Sequence, residues 1–140
     1  MGAKPVILCV DDLPDNLRIR CMLLEQFGCQ TVSASGRQSA LQALEAGKVD
    51  LLLIDYHLAY GETGEEVARD ARAMQPKLRM ILLTGDAKFP ESARNSVDEV
   101  LVKGQSGPSA LLDAIQRLLP GFKLLPRRAM LIPDPKREAS

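Results

Sequence analysis

The sequence predicts an α/β protein in which five parallel strands form one doubly wound sheet with helices on both faces. Two observations carry this prediction. Short apolar runs alternate along the chain with longer segments whose apolar residues recur at helical spacing, and such alternation is typical of parallel sheets joined by right-handed crossovers. In addition, the run from Leu51 to Ile54 is apolar at every position, which indicates a strand buried on both faces.

Each predicted strand is a short apolar run that ends in polar or turn-forming residues. The third run is the most apolar and the second is the weakest. Five alternating units in a chain of this size suit the flavodoxin-like strand order 2-1-3-4-5. In chain order, the runs cover about residues 6–10, 29–34, 51–55, 80–83 and 99–102.

The predicted helices have recognisable start signals. Pro suits the first turn of a helix, and Ser or Thr followed three residues later by Gln or Glu has the spacing of a capping box. Gly28 and Gly47 are expected to end the first two helices. The segment 85–96 contains Pro90 and is expected to hold at most a short helix. The start signals are, in chain order, Pro14, Ser35 with Gln38, Thr63 with Glu66, and Pro108.

Composition limits the function classes. The 140 residues are 46% apolar and 26% charged, as in an ordinary globular domain with a real core. The formal net charge of 0 gives no general attraction to nucleic acid or to a membrane, and no apolar run approaches the roughly 18 residues of a membrane span. The three cysteines lack the spacing of metal ligands and indicate reduced thiols in a cytoplasmic protein.

The composition changes near the C-terminus. Residues 120–140 are Pro-rich and carry a local excess of basic side chains, so we predict one domain over residues 1–119 followed by a tail or linker. Apolar residues in its first half indicate that this half docks on the domain.

Four of the apolar runs lead into chemically reactive side chains, which are Asp11 with Asp12, Asp55, Thr84 and Lys103. In the order 2-1-3-4-5, the ends of strands one, three, four and five lie side by side at the edge where such sheets bind ligands. Three neighbouring carboxylates require a compensating cation, and Mg²⁺ prefers carboxylate and phosphoryl oxygens. An ammonium and a hydroxyl at the same edge suit a phosphoryl group. The set therefore predicts phosphoryl transfer to an Asp.

With these residues in this order, the chain resembles the receiver domains of two-component response regulators over residues 5–119. The resemblance implies that Asp55 is the phosphoacceptor and that the donor is a phosphohistidine of a histidine kinase or phosphotransfer protein. Thr84 would move to the phosphoryl group, and Lys103 would pair with it. The implied Mg²⁺ ligands are Asp11 (largely through water), Asp12, Asp55 and the backbone carbonyl of His57.

The chain departs from the family pattern around this site. Gly104 follows Lys103 where the family usually has Pro, and Val100 lies three residues before Lys103 where the family usually has an aromatic switch residue. A relay from the Thr to an aromatic side chain therefore cannot work in the usual way. In the loop after Asp55, Ala59 replaces a common Pro and Gly64 falls about one residue late. These departures concern the signalling output rather than the acceptor site.

Three functions remain open at this point. The first is a phosphorylation-controlled binding module, without enzymatic activity beyond its own phosphorylation and dephosphorylation. It would be either a stand-alone regulator or a piece of a hybrid kinase. We expect no DNA-binding domain in this chain, and a homodimer through the last helices is compatible with the sequence.

The second function is a haloacid-dehalogenase-type phosphatase that uses Mg²⁺. Those enzymes carry an Asp-x-Asp pattern in which the first Asp is the nucleophile, whereas Asp11 and Asp12 are adjacent here. The third is a degenerate receiver that binds a partner without phosphorylation. Val100 and Gly104 favour this reading, and the complete set of acids, Thr and Lys opposes it.

Overall fold

The computed structural model describes residues 4–104 and 107–125. Five parallel strands form a single sheet in the order β2-β1-β3-β4-β5, which confirms the predicted fold class and strand order. The strands are β1 (Val6–Val10), β2 (Gln30–Ala34), β3 (Leu51–Asp55), β4 (Arg79–Thr84) and β5 (Glu99–Val102).

Helices connect these strands, and most of their ends agree with the sequence signals. A single 3₁₀ turn also covers Ala59–Gly61, between β3 and α3. The segment 85–96 contains only a helix of five residues, as predicted. The helices are α1 (Pro14–Gln26), α2 (Arg37–Ala46), α3 (Gly64–Met74), α4 (Glu91–Asn95) and α5 (Pro108–Leu118).

The capping box predicted at the start of α3 is present. The Thr63 hydroxyl accepts the N–H of Glu66 at 3.3 Å, and the Glu66 carboxylate accepts the N–H of Thr63 at 3.0 Å. These two hydrogen bonds satisfy N–H groups at the helix start that have no partner within the helix itself. The helix that follows the candidate phosphoacceptor strand therefore has a well-defined start.

The capping box predicted between Ser35 and Gln38 is wrong. α2 begins at Arg37, and it is Ser39 whose hydroxyl accepts the Ser35 N–H, at 3.1 Å. The first N–H of α2 is accepted by the carboxylate of Glu62 at 3.0 Å. Because Glu62 comes from the loop after β3, a local spacing rule could not identify this cap.

The sheet has a separate apolar core on each face, because successive strand residues point to opposite sides. Leu52 and Ile54 pack on the side of α2 and α3, whereas Leu51 and Leu53 pack on the side of α1 and α5. All five residues of β3 are buried. This central strand can therefore hold a charged residue at its end in a rigid position.

The segment after α5 contacts the C-terminal end of α1. The N–H of Leu125 donates to the carbonyl of Phe27 at 3.0 Å, and the Gln116 amide donates to the carbonyl of Phe122 at 2.6 Å. The rest of the predicted tail, residues 126–140, lies outside the described residues, and the domain boundary at 119 stays a prediction. No helix in the described part of the chain is long and apolar enough to span a membrane.

Candidate functional site

The strand register brings the four reactive strand ends to one edge of the sheet. The residue before Asp11 pairs with the residue before Asp55, so these two acids lie at the same level. Thr84 pairs with the residue before Lys103, and the Lys103 N–H donates to the Thr84 carbonyl at 2.7 Å. The predicted grouping of these side chains therefore follows from the order and register of β1, β3, β4 and β5.

Three carboxylates form a compact cluster at this edge. One oxygen from each of Asp11, Asp12 and Asp55 lies within 4.8 Å of the other two. Asp11 is 0% exposed and Asp55 is 6% exposed, while Asp12 is half-buried. Hard oxygen donors packed this closely repel one another and suit a small divalent cation, so the donor set fits Mg²⁺.

Lys103 contacts the central carboxylate directly. Its Nζ lies 2.7 Å from Oδ2 of Asp55. Burial raises the pKa of Asp55, the Lys103 ammonium lowers it, and the neighbouring Asp11 carboxylate raises it again, so that the net pKa is raised. Lys103 therefore offsets only part of the cost of burying this charge.

Asp11 is held by the protein at both of its carboxylate oxygens. The Leu13 N–H donates to Oδ1 at 3.0 Å, and Nη1 of Arg20 donates to Oδ2 at 3.3 Å. Burial raises the pKa of Asp11, but the Leu13 hydrogen bond and the charges of Lys103 and Arg20 outweigh it, so the net pKa is lowered. Sequence reasoning missed Arg20, because nothing in the apolar pattern of α1 separates it from a surface Arg.

The Thr84 hydroxyl is engaged by its own turn. It donates to the carbonyl of Asp86 at 3.0 Å and accepts the N–H of Asp86 at 3.2 Å, and Thr84 is fully buried. His57, two residues after Asp55, is exposed and pairs with Thr63 in an isolated β-bridge. Thr84 thus lies at the strand end that the sequence predicts, with its hydroxyl directed to local backbone.

The two glycines at which the chain departs from the family pattern have structural reasons. Gly104 has φ +82°, and its peptide bond with Lys103 is trans. Pro could not replace it in this conformation, because the Pro ring holds φ near about −65°. Gly64 donates its N–H to the Tyr56 carbonyl at 2.7 Å, and a Cβ there would lie 2.5 Å from the Asp55 carbonyl oxygen. Only Gly allows α3 to start this close to the end of β3.

Comparison with known proteins identifies the family. The sequence model of the response regulator receiver domain matches residues 7–116. The sensor protein GacS of Pseudomonas syringae pv. syringae is 32% identical over 107 residues, which are 71% of this chain and 12% of GacS. The sensor kinase/phosphatase LuxN of Vibrio harveyi is 25% identical over 118 residues, which are 83% of this chain and 13% of LuxN. The chain thus spans only about an eighth of the length of these sensor proteins.

Solved structures show the same fold. The response regulator TrrA of Thermotoga maritima, in complex with Mg²⁺-BeF, has a TM-score of 0.75 and 28% identity, covering 82% of this chain and 99% of TrrA. The signal receiver domain of an HD domain-containing protein from Pseudomonas fluorescens Pf-5 has a TM-score of 0.77 and 27% identity, covering 86% of this chain and 90% of that domain.

The parallel sheet and the acidic cluster at its edge are thus those of a receiver domain, which is a signalling module rather than a classical enzyme. The chain belongs to the response regulator receiver domain family. Membership of this family excludes the hypothesis of a haloacid-dehalogenase-type phosphatase, which the adjacent positions of Asp11 and Asp12 already disfavoured.

Proposed function

We propose that Asp55 accepts a phosphoryl group from a phosphohistidine of a histidine kinase or phosphotransfer protein, in a reaction that depends on Mg²⁺. The observation that carries this proposal is the environment of Asp55. Its carboxylate lies at the end of a fully buried strand, 2.7 Å from the Lys103 ammonium and within the acidic cluster. The relative LuxN is a sensor kinase/phosphatase by name, and the GacS of Pseudomonas protegens is a sensor histidine kinase by name, which supports a kinase as the partner.

In the proposed reaction, an Asp55 carboxylate oxygen attacks phosphorus. The new bond joins this oxygen to phosphorus, while the bond between phosphorus and the imidazole nitrogen breaks and leaves its electron pair on the nitrogen. Asp11, Asp12, Asp55 and the backbone carbonyl of His57 would hold Mg²⁺. The bound ion would neutralise negative charge on the phosphoryl oxygens.

Two further side chains would stabilise the product. Lys103 would transfer its ion pair from the Asp55 carboxylate to a phosphoryl oxygen, because its ammonium lies on a flexible stem that is 33% exposed. Thr84 would exchange its bond to the Asp86 carbonyl for a bond to the phosphoryl group. Release of that turn would change the loop after β4 and therefore the surface around α4 and β5.

The signalling output would differ from that of a receiver with an aromatic switch. Val100 is half-buried and packs against the apolar cluster on the α2 and α3 side of the sheet. It has no ring that could move between a buried and an exposed position. We propose that the altered backbone of the loop after β4, rather than a side-chain rotation in β5, transmits the phosphorylated state to a protein partner.

Phosphorylation with a small-molecule donor tests the proposal. The full chain is incubated with phosphoramidate, whose P–N bond resembles that of phosphohistidine, with Mg²⁺ or with EDTA, and intact mass is measured. We expect a gain of one phosphoryl group that requires Mg²⁺ and disappears in Asp55→Asn. The matched control is Asp15→Asn, because Asp15 is an exposed carboxylate that pairs with Arg18 at the surface.

The other outcomes point to other functions. A folded protein that gains no phosphoryl group would contradict the proposal and favour a receiver that binds its partner without phosphorylation. A gain that persists in Asp55→Asn would place the acceptor elsewhere. If the expected gain is observed, transfer from the phosphohistidine of a kinase domain can be tested with the same two variants, Asp55→Asn and Asp15→Asn.

A further inference from the structure

Arg20 brings a permanent positive charge into the acidic cluster. Its Nη1 lies 3.3 Å from Oδ2 of Asp11, its side chain is only 13% exposed, and that of Asp11 is 0% exposed. A guanidinium stays ionised even when it is buried. Burial of this group is not a general property of α1, because Arg18 is 68% exposed and pairs with Asp15 at the surface.

The cations of the cluster are divided between two of its carboxylates. Lys103 pairs with Asp55, and Arg20 pairs with Asp11. Within residues 4–104 and 107–125, Asp12 takes part in no ion pair. Three carboxylates and two cations leave the cluster with a net charge of −1, whereas without Arg20 the charge would be −2.

Arg20 also uses an oxygen that a metal could share. The Leu13 N–H occupies Oδ1 of Asp11, and the Arg20 guanidinium occupies Oδ2. A cation, or a water bound to it, that approaches Oδ2 of Asp11 would therefore share this oxygen with the Arg20 guanidinium. The opposition of Arg20 to such a cation is electrostatic, since charges in a buried site are weakly screened.

We propose that Arg20 is a positioning residue that fixes Asp11 and, through its charge, weakens the binding of Mg²⁺ to the unphosphorylated receiver. This inference rests on the proposed function, because it concerns the same acidic cluster. With one Mg²⁺ bound, the cluster would carry +1 with Arg20 and 0 without it. The charge that opposes the metal therefore favours the arrival of an anionic phosphoryl group once the metal is bound.

Calorimetric titration of MgCl₂ into the unphosphorylated full chain tests this proposal without any phosphodonor. We expect Arg20→Met to bind Mg²⁺ at least about tenfold more tightly than wild type, a change of about 1.4 kcal/mol. Met keeps a long, helix-compatible side chain and removes the charge. Arg20→Lys keeps the charge, and its affinity is expected to stay within about threefold of wild type.

Arg18→Met is the matched control, because it removes the same side chain from the exposed side of the same helix. Its Mg²⁺ affinity is expected to equal that of wild type. Thermal unfolding in EDTA checks that each variant is folded. If Arg20→Met does not fold, Arg20→Gln provides a neutral side chain that can still donate to Asp11.

The results separate this inference from the proposed function. If wild type binds Mg²⁺ and the neutral variants at position 20 bind it equally or more weakly, Arg20 does not oppose the metal and the inference is overturned. Equal tightening in Arg20→Lys would show that charge is not the cause and would also overturn it. If neither wild type nor the neutral variants bind Mg²⁺, the metal site fails together with the inference, while phosphorylation of Asp55 is measured separately by mass.

Discussion

Replacement of Gly64 by Ala should disturb both the stability of the protein and the position of its candidate phosphoacceptor. Gly64 is the first residue of α3, and its backbone lies against the end of β3. A Cβ at this position would lie 2.5 Å from the carbonyl oxygen of Asp55, 2.8 Å from Cδ1 of Leu82 and 3.0 Å from Cγ2 of Ile54. None of these atoms belongs to a flexible, exposed side chain.

The size of the effect follows from these contacts. Leu82 and Ile54 are 0% exposed, so the added methyl group can be accommodated only by moving the backbone of β3 or α3. Overpacking of a tight core costs about 1–3 kcal/mol. Ala gains less than about 1 kcal/mol over Gly in helix propensity, and less still at the first helical position. We therefore expect a net destabilisation of about 2 kcal/mol.

Urea unfolding followed by circular dichroism measures this change. A loss of about 2 kcal/mol corresponds to a melting temperature lower by about 6–8 °C for a domain of this size. The control is Gly47→Ala, because among the described residues no heavy atom other than those of Gly47 and its chain neighbours lies within 4 Å of a Cβ at this position. We expect it to stay within about 0.5 kcal/mol of wild type. A Gly64→Ala protein as stable as this control would refute the close approach of α3 to β3.

Two further predictions concern titratable groups. Burial raises the pKa of Asp55 in the folded protein above its ordinary value of 3.8. Asp55 therefore contributes most to the free energy of unfolding when it is protonated, and this contribution is lost as the pH rises through the pKa of the folded state. In EDTA, we expect Asp55→Asn to unfold at a higher temperature than wild type at pH 7, with the difference vanishing below pH 3.8. A hydrogen bond from Cys9 lowers the pKa of Cys21 to about 6, so we expect iodoacetamide, followed by peptide mass analysis, to label Cys21 first at pH 7.

Each of these predictions has a contrary outcome. Equal melting temperatures of wild type and Asp55→Asn at pH 7 would mean that Lys103 fully offsets the burial of the charge. Preferential labelling of Cys29 would contradict the assignment of the reactive thiol, since burial raises the pKa of Cys29 to about 11. The buried Cys9, whose pKa is raised by its hydrogen bond with Cys21, should also react slowly.

Gly104 illustrates how a departure from the family pattern can be local in its cause. Its φ of +82° lies in the left-handed region, which Gly adopts readily and Pro cannot. With Gly104 in this conformation, the preceding Lys103 still contacts Asp55.

Much of the fold could be predicted because its signals are local. The apolar run of β3, the capping box between Thr63 and Glu66 and the Pro at the start of α1 each depend on neighbours within a few residues. The handedness of strand–helix–strand connections then limits the strand order to few choices. With that order, the grouping of Asp11, Asp55, Thr84 and Lys103 at one edge follows without further information.

The sequence by itself therefore determined the strands, their order and the reactive groups at their ends, whereas the tertiary structure decided which partners those groups have. Glu62 caps α2 from 25 positions away, and Arg20 turns inward to Asp11 while Arg18 stays at the surface. The requirement for Gly64 exists only because α3 starts against the end of β3. Periodicity and propensity describe residues close together in the chain, but charge pairing and close packing depend on distances that only the assembled fold sets.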